Sequence, residues 1–150
     1  MIIDTHCHLD DTRYDDDINS VIKNALDNKV DKIIIPGADI NDLPKAAKIA
    51  NSYENIYFAA GVHPYEIDGY DESVIRKFAK DPKCVAIGEC GLDYFRLPDD
   101  NVDEYKSKQK DIFISQIKLA IELNLPLIIH IRDANEDSLK ILKEYEDKLV

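Results

Sequence analysis

Short apolar runs and amphipathic stretches of helical period alternate five times along this sequence, and few folds accept that order. The apolar runs lie at residues 1–5 (MIIDT), 31–37 (DKIIIPG), 55–61 (NIYFAAG), 84–89 (CVAIGE) and 126–131 (PLIIHI). They are continuous rather than alternating, the signature of strands covered on both faces in a parallel sheet. Between them, residues 17–29 place Ile18, Val21, Ile22, Ala25 and Leu26 on one helical stripe. Residues 41–52 carry Leu43, Ala46, Ala47 and Ala50, with Asp39 and Asn41 as capping candidates, and residues 71–80 carry Val74, Ile75, Phe78 and Ala79. The longest helix is expected over 103–124, with Phe113, Ile117, Ala120, Ile121 and Asn124 on one side, ending where Pro126 restricts the residue before it. A last helix over 134–148 carries Leu139, Leu142 and Tyr145.

A βαβαβαβαβα order with right-handed crossovers demands an α/β fold, a parallel sheet with helices outside it. Two architectures fit. A doubly wound five-strand sheet suits the chain's 150 residues, whereas a (β/α)8 barrel takes about 250. Lys148, Leu149 and Val150 read as the start of a sixth strand, which points to the barrel, truncated after about five units. With no low-complexity tract or Pro/Gly/Ser-rich linker, residues 1–150 read as one domain.

The balance of 19 Lys plus Arg against 30 Asp plus Glu leaves a net charge of −11, which excludes binding nucleic acid by bulk phosphate neutralisation. No apolar run approaches membrane-spanning length, and MIIDTHCHLD lacks the basic start and long apolar stretch of a signal peptide. The three cysteines, Cys7, Cys84 and Cys90, are odd in number and sit in or beside strand-like segments, so a reduced, cytoplasmic protein without disulfides or membrane contact is expected.

All four histidines stand near the carboxyl ends of expected strands, where ligands bind in parallel α/β folds. His6 and His8 follow the first, His63 the third, and His130 ends the fifth; Glu89 ends the fourth. Singly, each reads as a satisfied polar residue; together they read as a site. In an extended segment His6 and His8 project from one face, so two imidazoles can meet one cation. With Glu89 they supply three ligands for a divalent ion such as Zn²⁺, Mn²⁺ or Mg²⁺ and leave room for water. Glu89 has two oxygens, so with His130 it can serve a second ion; a single ion fits the same residues. Cys7 and Cys90 face away from their ligand neighbours by alternation and read as small buried hydrophobes. Asp4 and Asp10 suit either imidazole orientation or helix capping. Residues 91–105 (GLDYFRLPDDNVDEY) are too long for a simple turn and suit a specificity loop. Arg96 and Arg132 are cations for a phosphate or carboxylate, although an ordinary ion pair serves Arg96 equally well. His63 reads equally as a substrate contact or as a hydrogen-bonded structural histidine.

Four ordered segments, IIDTHCHLD, GVHP, IGECGLDYFR and IIHIRDA, together resemble the TatD-type metal-dependent deoxyribonuclease family of amidohydrolase-like barrels. The resemblance runs through essentially the whole chain. It implies a (β/α)8 barrel that uses one or two divalent ions to hydrolyse phosphodiester bonds in DNA, often from the 3′ end, by metal-activated water. Residue by residue it makes His6, His8, Glu89 and His130 the metal ligands, with Glu89 also the catalytic carboxylate. Arg132, His63 and Arg96 then become the substrate-binding set, for DNA ends or a small phosphodiester. The family pattern adds a His after strand six and an Asp after strand eight, and the sequence carries neither. Two alternatives stand beside this reading: a related hydrolase of amides, lactones or phosphotriesters, and a non-catalytic partial barrel. A nucleotide-binding module is disfavoured, because THCHLD occupies the place of a glycine-rich loop.

Overall fold

A computed structural model describes residues 1–150. Its strands are β1 (Ile2–Asp4), β2 (Val30–Ile35), β3 (Ile56–Ala60), β4 (Cys84–Asp93) and β5 (Leu127–Arg132). Its helices are α1 (Ile18–Asp27), α2 (Leu43–Ser52), α3 (Glu72–Phe78), α4 (Val102–Leu123) and α5 (Asn135–Lys143). The sheet is wholly parallel in the order β1-β2-β3-β4-β5. Each strand pairs with its sequence neighbour, so the chain forms half of a TIM-type barrel, with β1 and β5 as its open edges. No helix is long and apolar enough to cross a membrane.

The main core lies between sheet and helices. Ile33, Ile35, Ile56, Phe58 and Ala60 from the strands pack on Ile22 of α1, on Leu43, Ala46 and Ala50 of α2, and on Ile75 of α3. A second core joins Cys90 and Leu92 of β4 to Phe113 and Ile117 of α4 and Ile141 of α5. The outer helical stripes are narrower than the pattern predicts: Leu26 and Leu139 are exposed, and α5 buries Ser138 and Ile141 instead.

Several expected boundaries move, each for a local reason. Glu89 does not end its strand, because β4 continues to Asp93 by pairing Gly91 with His130 and Asp93 with Arg132. The expected loop from residue 91 therefore shrinks to the segment between Asp93 and Val102. Asp42, not Asp39 or Asn41, stands at the N-terminus of α2; the Asp39 carboxylate instead accepts from the Asn41 main chain and side chain, closing a turn. Helix α4 is stopped by Asn124 itself, in the left-handed conformation, with its N–H on the Ala120 and Ile121 carbonyls. No sixth strand begins at Lys148. Glu146–Lys148 form a 3-10 turn and Leu149 folds back onto the second core.

What brings the strand ends together is a seam of glycines. Beyond the end of β2, the Gly37 N–H donates to Gly88 O at 3.0 Å and Gly37 O accepts from the Glu89 N–H at 2.6 Å, a main-chain bridge from β2 to β4 past the end of β3. A Cβ at Gly61 would lie 2.5 Å from Gly88 Cα, and one at Gly37 would lie 2.7 Å from both Ala59 O and Gly61 N. Side chains at these positions would push the strand ends apart. Gly61→Ala should therefore destabilise the chain by about 1–3 kcal/mol. Gly69→Ala, with nothing within 4 Å of the new Cβ, should stay within about 0.5 kcal/mol; urea denaturation of the two variants checks the contrast.

Candidate metal centre

The pleat of β4 sorts its residues by chemistry. Cys90 and Leu92 enter the second core, so Glu89 and Asp93 share the opposite face. Between Ile87 and Cys90 the register against β5 slips, which places Gly88 and Glu89 in an irregular step of the ladder. Such irregularities re-aim a side chain beside a site. On β5, His130 and Arg132 share a face by the same alternation, while His6 and His8 follow β1.

Glu89 is the meeting point. It is 6% exposed, and its ion-pair partners are all histidines. Oε2 lies 3.3 Å from His6 Nε2 and 4.0 Å from His8 Nε2; Oε1 lies 3.0 Å from His130 Nδ1. The ligand atoms of His6, His8 and Glu89 all lie within 4.8 Å of one another, as do those of His63, Glu89 and His130. The structure thus gathers three of the expected ligands, His6, His8 and His130, around the fourth, Glu89, and adds His63 to the second group.

Hydrogen bonds assign the ring nitrogens. His130 Nε2 lies 2.7 Å from Asp93 Oδ2. An ionised carboxylate only accepts, so this nitrogen carries the proton. Nδ1 lies 3.0 Å from Glu89 Oε1, a contact that either a ring proton or a cation shared by the two atoms satisfies. The donor set fits a divalent ion on this chemistry. His63 is wired the opposite way: its Nδ1 accepts from the Tyr65 N–H at 3.1 Å, leaving the proton on Nε2. Burial, reinforced by the adjacent His130, pushes its pKa down to about 4, so the ring is neutral at pH 7. Its Nε2–H can donate to an oxygen, and the neutral ring also belongs to the second candidate ligand group.

The other expected residues fall into place around this centre. Asp4 orients the main chain of His6, accepting its N–H at 3.1 Å. The Asp10 carboxylate faces His8 Nδ1 at 3.9 Å, with its buried Oδ1 otherwise unpartnered, and burial raises its pKa. Cys90 is fully buried and Cys7 packs on the main core, in keeping with alternation. Arg132 stacks on the Phe95 ring with its guanidinium carbon 3.5 Å from the centroid. Arg96 lies over the Tyr65 ring at 5.8 Å rather than on a carboxylate.

Three polar residues escape the sequence reading. Asp93 is fully buried and partners His130; its alignment with Glu89, four residues earlier on the same strand face, is the signal that could have found it. Burial acts to raise its pKa, but the nearby Tyr65 hydroxyl, His130 and the Phe95 N–H outweigh that and hold it below the usual carboxylate range. Gln109 and Gln116 are fully buried on α4. Gln116 accepts from the Val62 N–H at 2.8 Å and donates to Val62 O at 3.0 Å. Gln109 accepts from the Asp93 N–H at 2.9 Å and donates to Asp93 O at 3.0 Å and Pro64 O at 3.2 Å. Each amide thus acts as a strand partner for main chain adjoining His63 or His130's carboxylate. Gln116→Leu strands a buried N–H and C=O at about 1–3 kcal/mol each, and should destabilise by at least about 2 kcal/mol. Lys118→Ala, exposed on the same helix, should cost under about 0.5 kcal/mol; thermal or urea unfolding measures both.

Comparison with known proteins identifies the family and the fold. A family model described as TatD related DNase matches residues 3–150. The chain is 43% identical over 149 residues to the "Uncharacterized metal-dependent hydrolase YabD" of Bacillus subtilis, covering 96% of this chain and 56% of that protein. It is 32% identical over 154 residues to the "3'-5' ssDNA/RNA exonuclease TatD" of Shigella flexneri, covering 99% and 56%. Among solved structures, the TatD homolog YJJV of Escherichia coli superimposes with a TM-score of 0.85 at 29% identity, over 97% of this chain and 56% of that one. A TatD family hydrolase from Entamoeba histolytica gives 0.84 at 29% identity, over 97% and 55%. The chain spans little more than half the length of these relatives. Matched along nearly all of its length, it belongs to the TatD related DNase family of metal-dependent hydrolases.

Proposed function

We propose that the chain serves a deoxyribonuclease of the 3′–5′ exonuclease type, which cleaves phosphodiester bonds at the end of a single strand with one or two divalent ions (Mg²⁺, Mn²⁺ or Zn²⁺). The observation that carries this reading is the division of Glu89 between two sets of imidazoles, His6 and His8 on one oxygen and His130 on the other. His6 Nε2, His8 Nε2 and Glu89 Oε2 would hold one ion; Glu89 Oε1 and His130 Nδ1 would serve a second. A divalent ion held there supplies Lewis acidity toward a phosphoryl oxygen and a water acidified to near neutrality.

The chain's own groups do the rest. Arg132, held flat against Phe95, meets phosphate oxygens with a fixed fork of N–H donors. His63 offers its Nε2–H to a non-bridging oxygen. Phe95 is 54% exposed, so part of its ring is open to an unpaired terminal base. With a net charge of −11, attraction for the polyanion is confined to this cluster, which suits a strand end better than a long duplex tract. The Shigella flexneri relative is named for single-stranded DNA and RNA, in accord with that choice.

Mn²⁺ or Mg²⁺ titrated against an end-labelled single-stranded oligonucleotide should give stepwise loss from the 3′ end, slower on blunt duplex. His6→Ala and Glu89→Gln should each lower the rate by more than the about 10- to 100-fold typical of losing a supporting partner. Cleavage unchanged in both variants overturns the assignment. Phe95→Ala should raise KM for the single strand several-fold with little change in kcat, because it removes about 1–3 kcal/mol of stacking per base; the steady-state constants decide it.

A further inference from the structure

We propose that Asp93 is a positioning residue that locks the His130 imidazole in the tautomer with its proton on Nε2, so that the Nδ1 lone pair is presented to the Glu89 side of the site. The inference rests on the reading of Glu89 and His130 as an ion-holding pair, and it adds the group that sets one of them. Asp93 is fully buried, so it touches neither solvent nor substrate, and its action has to pass through His130.

Its placement is fixed from four sides. Oδ2 lies 2.7 Å from His130 Nε2, and Oδ1 accepts from the Phe95 N–H at 2.9 Å. The two main-chain groups of Asp93 are clamped by Gln109, at 2.9 and 3.0 Å. Asp93 pairs with Arg132 in the ladder while Gly91 pairs with His130, so the carboxylate reaches diagonally to the ring one step away. Gly91, at φ +147°, lets the main chains of β4 and β5 close on each other at this step: a Cβ there would overlap the His130 carbonyl oxygen.

The chemistry needs such a lock. Glu89 Oε1 stands 3.0 Å from Nδ1 and competes with Asp93 for the ring proton. Were the proton to sit on Nδ1, it would bond Glu89, and the lone pair would point into the buried Asp93, where two acceptors would clash and no ligand-capable nitrogen would remain at the site. A metal-bound imidazole whose far nitrogen donates to a carboxylate is fixed in both orientation and basicity. The same contact also draws the ring toward β4, since Asp93 belongs to a main chain that Gln109 holds immobile.

The test reads the ring directly. In the Zn²⁺-loaded chain, labelled with ¹⁵N at histidine, long-range ¹H–¹⁵N correlation should show His130 with a proton on Nε2 and a metal-shifted Nδ1. Asp93→Asn, whose amide can donate where the carboxylate could only accept, should reverse or mix the tautomer and weaken Zn²⁺ binding, measured by calorimetry, about 10- to 100-fold. Asp93→Ala, which leaves Glu89 as the carboxylate partner of the ring, should lose affinity and shift the proton of the metal-free ring to Nδ1. A proton on wild-type Nδ1, an unshifted Nδ1, or an Asp93→Asn variant that binds Zn²⁺ as tightly as the wild type overturns the proposal. The wild-type spectrum stands even where a variant fails to fold. No oligonucleotide enters the measurement, so a locked ring in a chain that cuts no phosphodiester would refute the nuclease reading and leave Asp93's role intact.

Discussion

A carboxylate buried among imidazoles, with no ammonium or guanidinium paired to it, is the constraint around which this half-barrel is arranged. Burying an ionised group without compensation is costly. Glu89 sets its oxygens against His6 with His8 on one side and His130 on the other, rings that can meet a carboxylate through a proton or through a shared cation. A lysine in the same place would neutralise the acid once and close the site. Imidazoles keep the acid available.

The support for this centre comes largely from α4. A helix packed outside a sheet ordinarily contributes apolar side chains, as Phe113 and Ile117 do. Gln109 and Gln116 contribute instead a two-point amide that imitates a neighbouring strand, satisfying the N–H and C=O of Asp93 and Val62. Those residues adjoin the groups that matter: Val62 precedes His63, and Asp93 holds His130. The helix therefore fixes the height of both strand ends at once, and the site inherits the rigidity of the second core.

Much of this was legible in the sequence. Five apolar runs gave the strands, because burial on both faces leaves a continuous hydrophobic record. The spacing of His6 and His8 and the places of Glu89 and His130 in the carboxyl-terminal halves of their strands pointed to the cluster, because alternation and strand polarity fix where such side chains go. What escaped reading depends on partners distant in sequence. Gln109 and Gln116 look like solvent-facing residues in a helical pattern, and only their pairing with strand ends accounts for their burial. Asp93 reads as loop in the sequence because β4 lengthens only where β5 is present to pair with it. Lys148, Leu149 and Val150 look like a strand by composition, yet Leu149 finds apolar cover on the second core. Arg96 and Arg132 were read as charges, whereas their nearest environment is aromatic.

The glycine bridge from Gly37 to Gly88 and Glu89 has a mechanical corollary. His6 lies at one border of the sheet and Glu89 three strands away, and they face each other only because the sheet curls, so their separation is a chord whose length gauges that curvature. An ion held by both residues would act as a tie rod, and by linkage its binding would resist fluctuations that flatten the arc. Shape and affinity here are a single quantity, set by how closely bare backbone can approach bare backbone at the rim.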